Sequence, residues 1–292
     1  MSLSPHVLVA TLGGQPQVVT LTLDLLLRQG YPIRDVFVLH PRASSQPRLQ
    51  RAFLRLNAEF TSDYYAHAQR TIHFHSRVLE LDGKPIDDIT DDSHADGTLN
   101  TIHQLIGDLK RQHYHIHLSV SGGRRLISLL AISVAALNFD RSDHIWHIYT
   151  PEPLKEQVRE GACMHVPPEA GVKLIRGPFI ALGAYLSHSG PSFRSTQEEQ
   201  RLQMEAQERA CCADVANKAT PAQLKVLAAF ARGLRPQQVA NDLFITLATV
   251  NTHKTVLLTL CHSVWNVPLQ ERLDYHFLTA KFGSYFPDEN YS

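Results

Sequence analysis

The chain has 292 residues, enough for a large domain and a small one, and its hydrophobic fraction of 43% is that of a protein with a packed core. Lys and Arg number 28, as do Asp and Glu, so global charge draws the chain to no polyanion and any nucleic-acid role must come from local patches. Seventeen histidines make the charge turn positive as pH falls through the imidazole range.

The N-terminal stretch "MSLSPHVLVATLGG" has neither a basic leader nor a long apolar run, so no signal peptide is expected. From there strand-like and helix-like segments alternate. Residues 3–11 read as a strand, 16–30 as a helix ended by Gly30, 35–40 as a second strand and 45–60 as a helix. Residues 71–80 follow as a third strand, 91–112 as a helix, 115–121 as a strand, 124–138 as an apolar helix and 143–150 as a strand. Short apolar strands in β-α-β order predict an α/β fold: a Rossmann-like, doubly wound parallel sheet with helices on both faces. The apolar run 126–137 is too short to span a bilayer and reads as a buried helix, with no membrane partner expected. Residues 161–186 can hold a hairpin or an extra strand, with Pro167-Pro168 at the turn.

The boundaries drawn are 1–185 for the ligand-binding domain, 186–216 for a linker and 217–292 for a small all-α domain with its tail. Ser/Gly/Pro-rich residues open the linker, and Ser195 with Glu198 is a candidate N-cap for a polar helix. Beyond it, Thr220-Pro221 starts a helix that Gly233 stops, and two further short helices follow. That order is the order of a helix-turn-helix. The aromatic tail 273–292 is expected to pack back on the protein. Cys163, Cys211, Cys212 and Cys261 form no C-x-x-C pair, which points to a reduced, cytoplasmic protein without structural zinc.

Two turns carry the chemistry. "TLGGQPQVVT" (11–20) and "SVSGGRRLIS" (119–128) each follow an apolar strand and open a helix. Glycines there admit close approach of a ligand to backbone amides at a helix N-terminus. Neither turn is a G-x-G-x-x-G or Walker loop, so no nicotinamide or ATP-type cofactor is expected. In a doubly wound sheet the first and fourth strands are neighbours at the switch point, so both turns fall in one crevice. Leu12, Gly13, Gly14, Gln15 and Gln17 on one side, with Ser121, Gly122 and Gly123 on the other, are the predicted ligand-binding residues. Arg124 and Arg125 supply planar, bidentate anion recognition suited to a phosphodiester.

The pair of turns resembles those of the CRISPR-associated Rossmann fold (CARF) sensor domains, in the branch of the ring nucleases, over about residues 3–185. "IDDITDDSHADGTLNTIHQLI" is similar to the segment between the two motifs. The resemblance implies a homodimer that binds cyclic oligoadenylate, usually cyclic tetra-adenylate, across its two-fold axis. It also implies metal-independent cleavage, in which a ribose 2′-OH attacks the adjacent phosphate and leaves a 2′,3′-cyclic phosphate and a 5′-OH. Thr11 would hold ribose or phosphate, Arg125 would stabilise developing charge, and Arg124 would bind phosphate. Such motifs often carry lysine where Arg125 stands; arginine keeps the charge but donates no proton near neutral pH.

Residues 220–261 resemble the LuxR-type helix-turn-helix, with Val239, Ala240, Leu243, Val250 and Leu257 as core and Thr249, Asn251, Thr252 and Lys254 facing outward toward DNA. The alternative reading is thus a non-catalytic, ligand-responsive transcription regulator. Other constellations read as structural. His113, His115 and His117 share a strand face, but the first two lie at the strand's beginning, away from its C-terminal end where the crevice is expected. Ser121 lacks the G-x-S-x-G frame of a nucleophile elbow. The acidic run Asp87-Asp88 and Asp91-Asp92 reads as the cap of the third helix.

Overall fold

The computed structural model describes residues 4–179, 192–268 and 270–286. The chain divides into two compact units, Met1–Gln197 and Glu198–Ser292.

In the first unit, six strands form the sheet: β1 (His6–Thr11), β2 (Ile33–His40), β3 (His73–Val78), β4 (His115–Ser119), β5 (His144–Tyr149) and β6 (Lys173–Gly177). Their order is β6-β5-β4-β1-β2-β3, with all pairs parallel except β5–β6. The strand order reverses between β1 and β4, which pair from His6 opposite His115 to Ala10 opposite Ser119. The extra strand expected within 161–186 is β6, while 180–186 lies outside the described residues.

Alternation along β1 builds both layers of the core. Val7 and Val9 pack with Ile102 and Ile106 of α3 (Asp92–Arg111) and Ile127 and Ala131 of α4 (Arg125–Asn138). Leu8 and Ala10 face the opposite side, toward Val19 and Leu23 of α1 (Gln17–Arg28) and Leu49 and Leu56 of α2 (Pro47–Ala58). The doubly wound sheet is therefore covered on both faces. A short helix, α5 (Glu152–Val158), follows β5. Among the described residues no single helix is long and apolar enough to cross a membrane.

The histidines of β4 are packing groups. His113 precedes the strand with φ +61°, so only His115 and His117 lie in it. His117 is fully buried, and its Nδ1 accepts from the Trp146 indole N–H at 3.0 Å. An indole only donates, so the His117 proton sits on Nε2, which donates to His6 Nδ1 at 3.0 Å. Burial first, then the neighbouring His6, His144 and His115, press its pKa down to about 3.

α6 (Phe193–Lys218) carries the boundary between the units. It begins earlier than Ser195 predicts: the Ser192 hydroxyl accepts the Ser195 amide at 3.2 Å, so Ser192 takes the capping place and Ser195 sits in the first turn. The second unit packs α7 (Pro221–Ala231), α8 (Pro236–Asp242), α9 (Leu247–Val264) and α10 (Tyr275–Phe282) around Val226, Phe230, Val239, Val250, Leu257, Leu278 and Phe282. Thr220 and Gln223 close a reciprocal capping box on α7, and α8 meets α9 at 115°. The tail contributes α10 to this core, and its residues 287–292 lie outside the described ones. All four cysteines are free thiols.

Candidate functional site

The two glycine turns lie against each other at the C-terminal ends of β1 and β4. A Cβ on Gly122 would stand 2.0 Å from the Thr11 carbonyl oxygen, and one on Gly13 would stand 2.9 Å from Gly123 Cα. Gly123 adopts φ +74° with Leu12 O 3.2 Å from its would-be Cβ. These three glycines are required by the meeting of two backbones, whatever else the turns do. Gly14 differs: its would-be Cβ meets nothing closer than Arg48 Cβ at 3.7 Å.

Thr11 belongs to that junction. It is 1% exposed and its hydroxyl donates to Gly122 O at 2.5 Å. Its side chain ties the turns together.

A crevice of about 260 Å³ opens beside the junction, lined by Leu12, Gly13, Gly14 and Gln15 from the first turn and Gly123, Arg124 and Ile127 from the second. Pro41 after β2 and Gln46, Arg48 and Leu49 at the start of α2 complete it. Three helices thus begin at one place. None of α1, α2 and α4 has a side-chain cap or an acidic residue in its first turn. Among the other helices, Asp91 caps α3, Thr220 α7, Thr246 α9 and Asp274 α10, while α5 and α8 also lack a side-chain cap, α5 having Glu152 in its first turn. An uncapped helix start presents unpaired N–H groups and partial positive charge. Arg124 at the N-cap and Arg125 at the first position of α4 add cations where a helix alone disfavours them, by about 0.3–1 kcal/mol each. The arrangement is built to receive an anion.

Arg124 is paired with Asp88, whose carboxylate lies 2.6 Å from its guanidinium. Asp87 pairs with Arg42 at 3.3 Å. The acidic run therefore divides: Asp91 caps α3 through the His94 amide at 2.9 Å, as read from sequence, whereas Asp88 pairs with Arg124 of the crevice and Asp87 with Arg42 outside its lining. Gln15 and Gln17 are committed as well. Gln15 Oε1 accepts the Glu160 amide at 2.9 Å and Gln17 Oε1 the Gly161 amide at 3.0 Å, fixing the turn after α5. Gln15 still lines the crevice, while Gln17 is buried behind it. Glu160 also pairs with Arg48, whose guanidinium holds the Glu160 carboxyl below the usual carboxylate range. Beyond this pair, Arg51, Arg55 and Arg159 surround a smaller cleft that shares Gly14 and Arg48 with the crevice.

The family model described as CRISPR-associated protein NE0113 matches residues 15–211, about two-thirds of the chain. The chain belongs to that family. No curated protein matches it. The NE0113 match covers the second glycine turn and most of the crevice, and begins just after Gly14.

In this NE0113-family chain, Arg125 is exposed, does not line the crevice, and makes no hydrogen bond or ion pair among the described residues. It shares the outer face of α4 with Leu126 and Leu129, which are 42% and 60% exposed. Ser121 stands at the end of β4, where its Oγ accepts the Ile148 amide at 2.8 Å and lies 3.1 Å from His147 Nδ1. His147, Arg48 and Asp88 escaped the sequence reading because each comes from a segment that only the topology brings to this end of the sheet.

In the second unit, Val239, Ala240, Val250 and Leu257 are buried and Leu243 is partly so. Asn251 and Thr252 are exposed on α9; Lys254 Nζ donates to Asn251 Oδ1 at 2.9 Å. Thr249 supports the cap, with its hydroxyl 2.8 Å from that of Thr246.

Proposed function

We propose that the crevice binds cyclic oligoadenylate, with cyclic tetra-adenylate as the ring that best suits it, across a cytoplasmic homodimer, and cleaves it to switch off type III CRISPR signalling. The observation that carries the reading is the convergence of three uncapped helix starts with Arg48 and Arg124 at the switch point of a CRISPR-family chain. Donors fixed in advance around a phosphate are what stabilise the crowded anion of phosphodiester cleavage. The outward Arg125 beside exposed Leu126 and Leu129 supports a second copy completing the site, since those side chains have no cover within the chain's own crevice.

In the proposed reaction a ribose 2′-oxygen forms a bond to the adjacent phosphorus as the bond to the 5′-oxygen breaks. The 2′ proton is lost and the 5′-oxygen gains one, giving a 2′,3′-cyclic phosphate and a 5′-OH without metal chemistry. The turns hold the 2′-OH in line with the leaving oxygen, which is most of what such a step needs. Arg124 and Arg125 carry charge but do not give up a proton near neutral pH. His147, 3.1 Å from the Ser121 hydroxyl, is the side chain proposed to pass one.

The test incubates labelled cyclic tetra-adenylate with excess protein, with and without EDTA, and separates the products. Linear products with cyclic phosphate ends in both conditions, lost in Arg125→Ala, are expected. Rings intact after hours in both would overturn cleavage, and products only without EDTA would overturn the metal-independent step.

The 115° crossing of α8 and α9, with Asn251 and Thr252 exposed, favours a second reading in which the chain is a ligand-responsive DNA-binding regulator. Salt-dependent retardation of duplex DNA, weakened by Lys254→Ala and altered by the ring, is its expected signature.

A further inference from the structure

A second polar cluster lies on the first unit, built from three segments far apart in sequence. Asp24 is on α1, His67 sits in the turn Ala66–Ala68, and His165 lies between α5 and β6. Asp24 is 4% exposed, and no lysine or arginine pairs with it among the described residues. Its Oδ1 accepts from the Tyr65 hydroxyl at 2.7 Å. Its Oδ2 faces both histidines, 2.8 Å from His165 Nδ1 and 3.6 Å from His67 Nε2. The two imidazoles stack with centroids 3.9 Å apart and planes 3° from parallel. One ligand atom from each of Asp24, His67 and His165 falls within a sphere of mutual distances under 4.8 Å.

We propose that Asp24, His67 and His165 form a site for a divalent late transition metal of the zinc class, separate from the phosphate crevice. Two imidazole nitrogens and one carboxylate oxygen are the donor set of such an ion, whereas magnesium and calcium take oxygen alone. The outer partners are already in place. Tyr65 turns Asp24 so that Oδ2 is presented, and Glu59 Oε2, 2.9 Å from His165 Nε2, fixes the ring with Nδ1 toward the site. A carboxylate behind a ligating histidine is the usual means of setting its tautomer. On binding, His165 Nδ1 exchanges its proton for the metal while Nε2–H stays on Glu59. His67, whose side chain is 38% exposed, turns off the stack to bring Nε2 onto the ion, and solvent fills the remaining position.

The ion would act as a clamp. The segment Arg159–Val166 is fixed near the crevice by the Gln15 and Gln17 contacts to Glu160 and Gly161, and by Arg28 donating to Val166 O at 2.9 Å. His165 would join that segment to α1 and to the turn at His67 through metal bonds, steadying Glu160 where it pairs with Arg48. The ion takes no part in the cleavage step.

The test strips the full-length protein with EDTA, removes the chelator and titrates Co(II) alone. One Co(II) per chain with visible d–d absorption of low coordination number, bleached by an equivalent of Zn(II), is expected. Replacing the exposed ligand, His67→Ala, should weaken Co(II) binding at least tenfold while thermal unfolding in EDTA stays unchanged. Glu59→Gln should weaken it by about 10- to 100-fold. Absence of the d–d band at stoichiometric Co(II), or equal binding by wild type and His67→Ala, would overturn the site. Neither readout involves a nucleotide, so the result is independent of the crevice's ligand.

Discussion

In the middle of β4, His117 is buried with Trp146 donating to one ring nitrogen and His6 accepting from the other. At its end, the turn Ser121–Arg124 opens onto helix starts without caps and guanidinium groups facing a crevice. Both places are rich in polar side chains. In the strand each polar atom of His117 is satisfied within the chain, so the cluster serves stability. At the turn, helix starts without side-chain caps meet Arg124 at an open crevice, and donors there can serve a ligand.

The same contrast divides the glycines, and the largest expected effect lies there. Gly122→Ala puts a methyl group 2.0 Å from the Thr11 carbonyl and should cost about 3 kcal/mol or more, read as a lowered denaturant midpoint. Gly14→Ala meets only the side chain of Arg48 and should leave stability within about 0.5 kcal/mol while weakening anion binding. Equal losses of stability in both variants would break the distinction.

His117→Ala comes next. It leaves the Trp146 indole N–H and His6 without a partner and opens a cavity, a loss of about 2–4 kcal/mol with crevice binding unchanged. The same residue gives a pH dependence. Its folded pKa of about 3 lies below the 6.5 of the free side chain, so below pH 6.5 the unfolded chain binds the proton that the folded chain refuses. Stability is complete above pH 6.5 and is lost as pH falls toward 3, by at most about 1.4 kcal/mol per pH unit from this group. His6, His40 and His144 are lowered too and act in the same sense. Denaturation measured from pH 7 to 5 should show the slope, flattened in His117→Gln.

The smallest effect sharpens the crevice end. Asp88→Asn releases Arg124 from an ion pair that is partly exposed on both sides, and should tighten anion binding only a few-fold, since such pairs are worth about 0–1 kcal/mol. Weaker binding in Asp88→Asn would mean that Asp88 positions Arg124 and does not compete for it.

Much of the fold was legible because short apolar strands and amphipathic helices alternate, and the switch point follows from handedness. The pairing of β1 with β4 and the meeting of the two glycine turns came with it. The Thr11 hydroxyl bond to the Gly122 carbonyl was not legible, since a motif position does not show where a side chain bonds. Arg48 reaches the crevice from α2, and Asp88 before α3 and Glu160 after α5 pair with its arginines, convergences that no local pattern signals. Asp24, His67 and His165 are further still from any sequence spacing that marks a metal site. Ser195 was mistaken for a cap because Ser192, three residues earlier, offers the same hydroxyl.

The central claim is that the crevice receives a phosphodiester ring shared by two copies of the chain. Calorimetric titration of cyclic tetra-adenylate into the full-length protein tests it most directly. The account predicts one ring per two chains, with affinity falling as salt rises and at least tenfold weaker in Arg124→Ala at unchanged stability. Absence of binding, or binding of one ring per chain that Arg124→Ala leaves untouched, would contradict it.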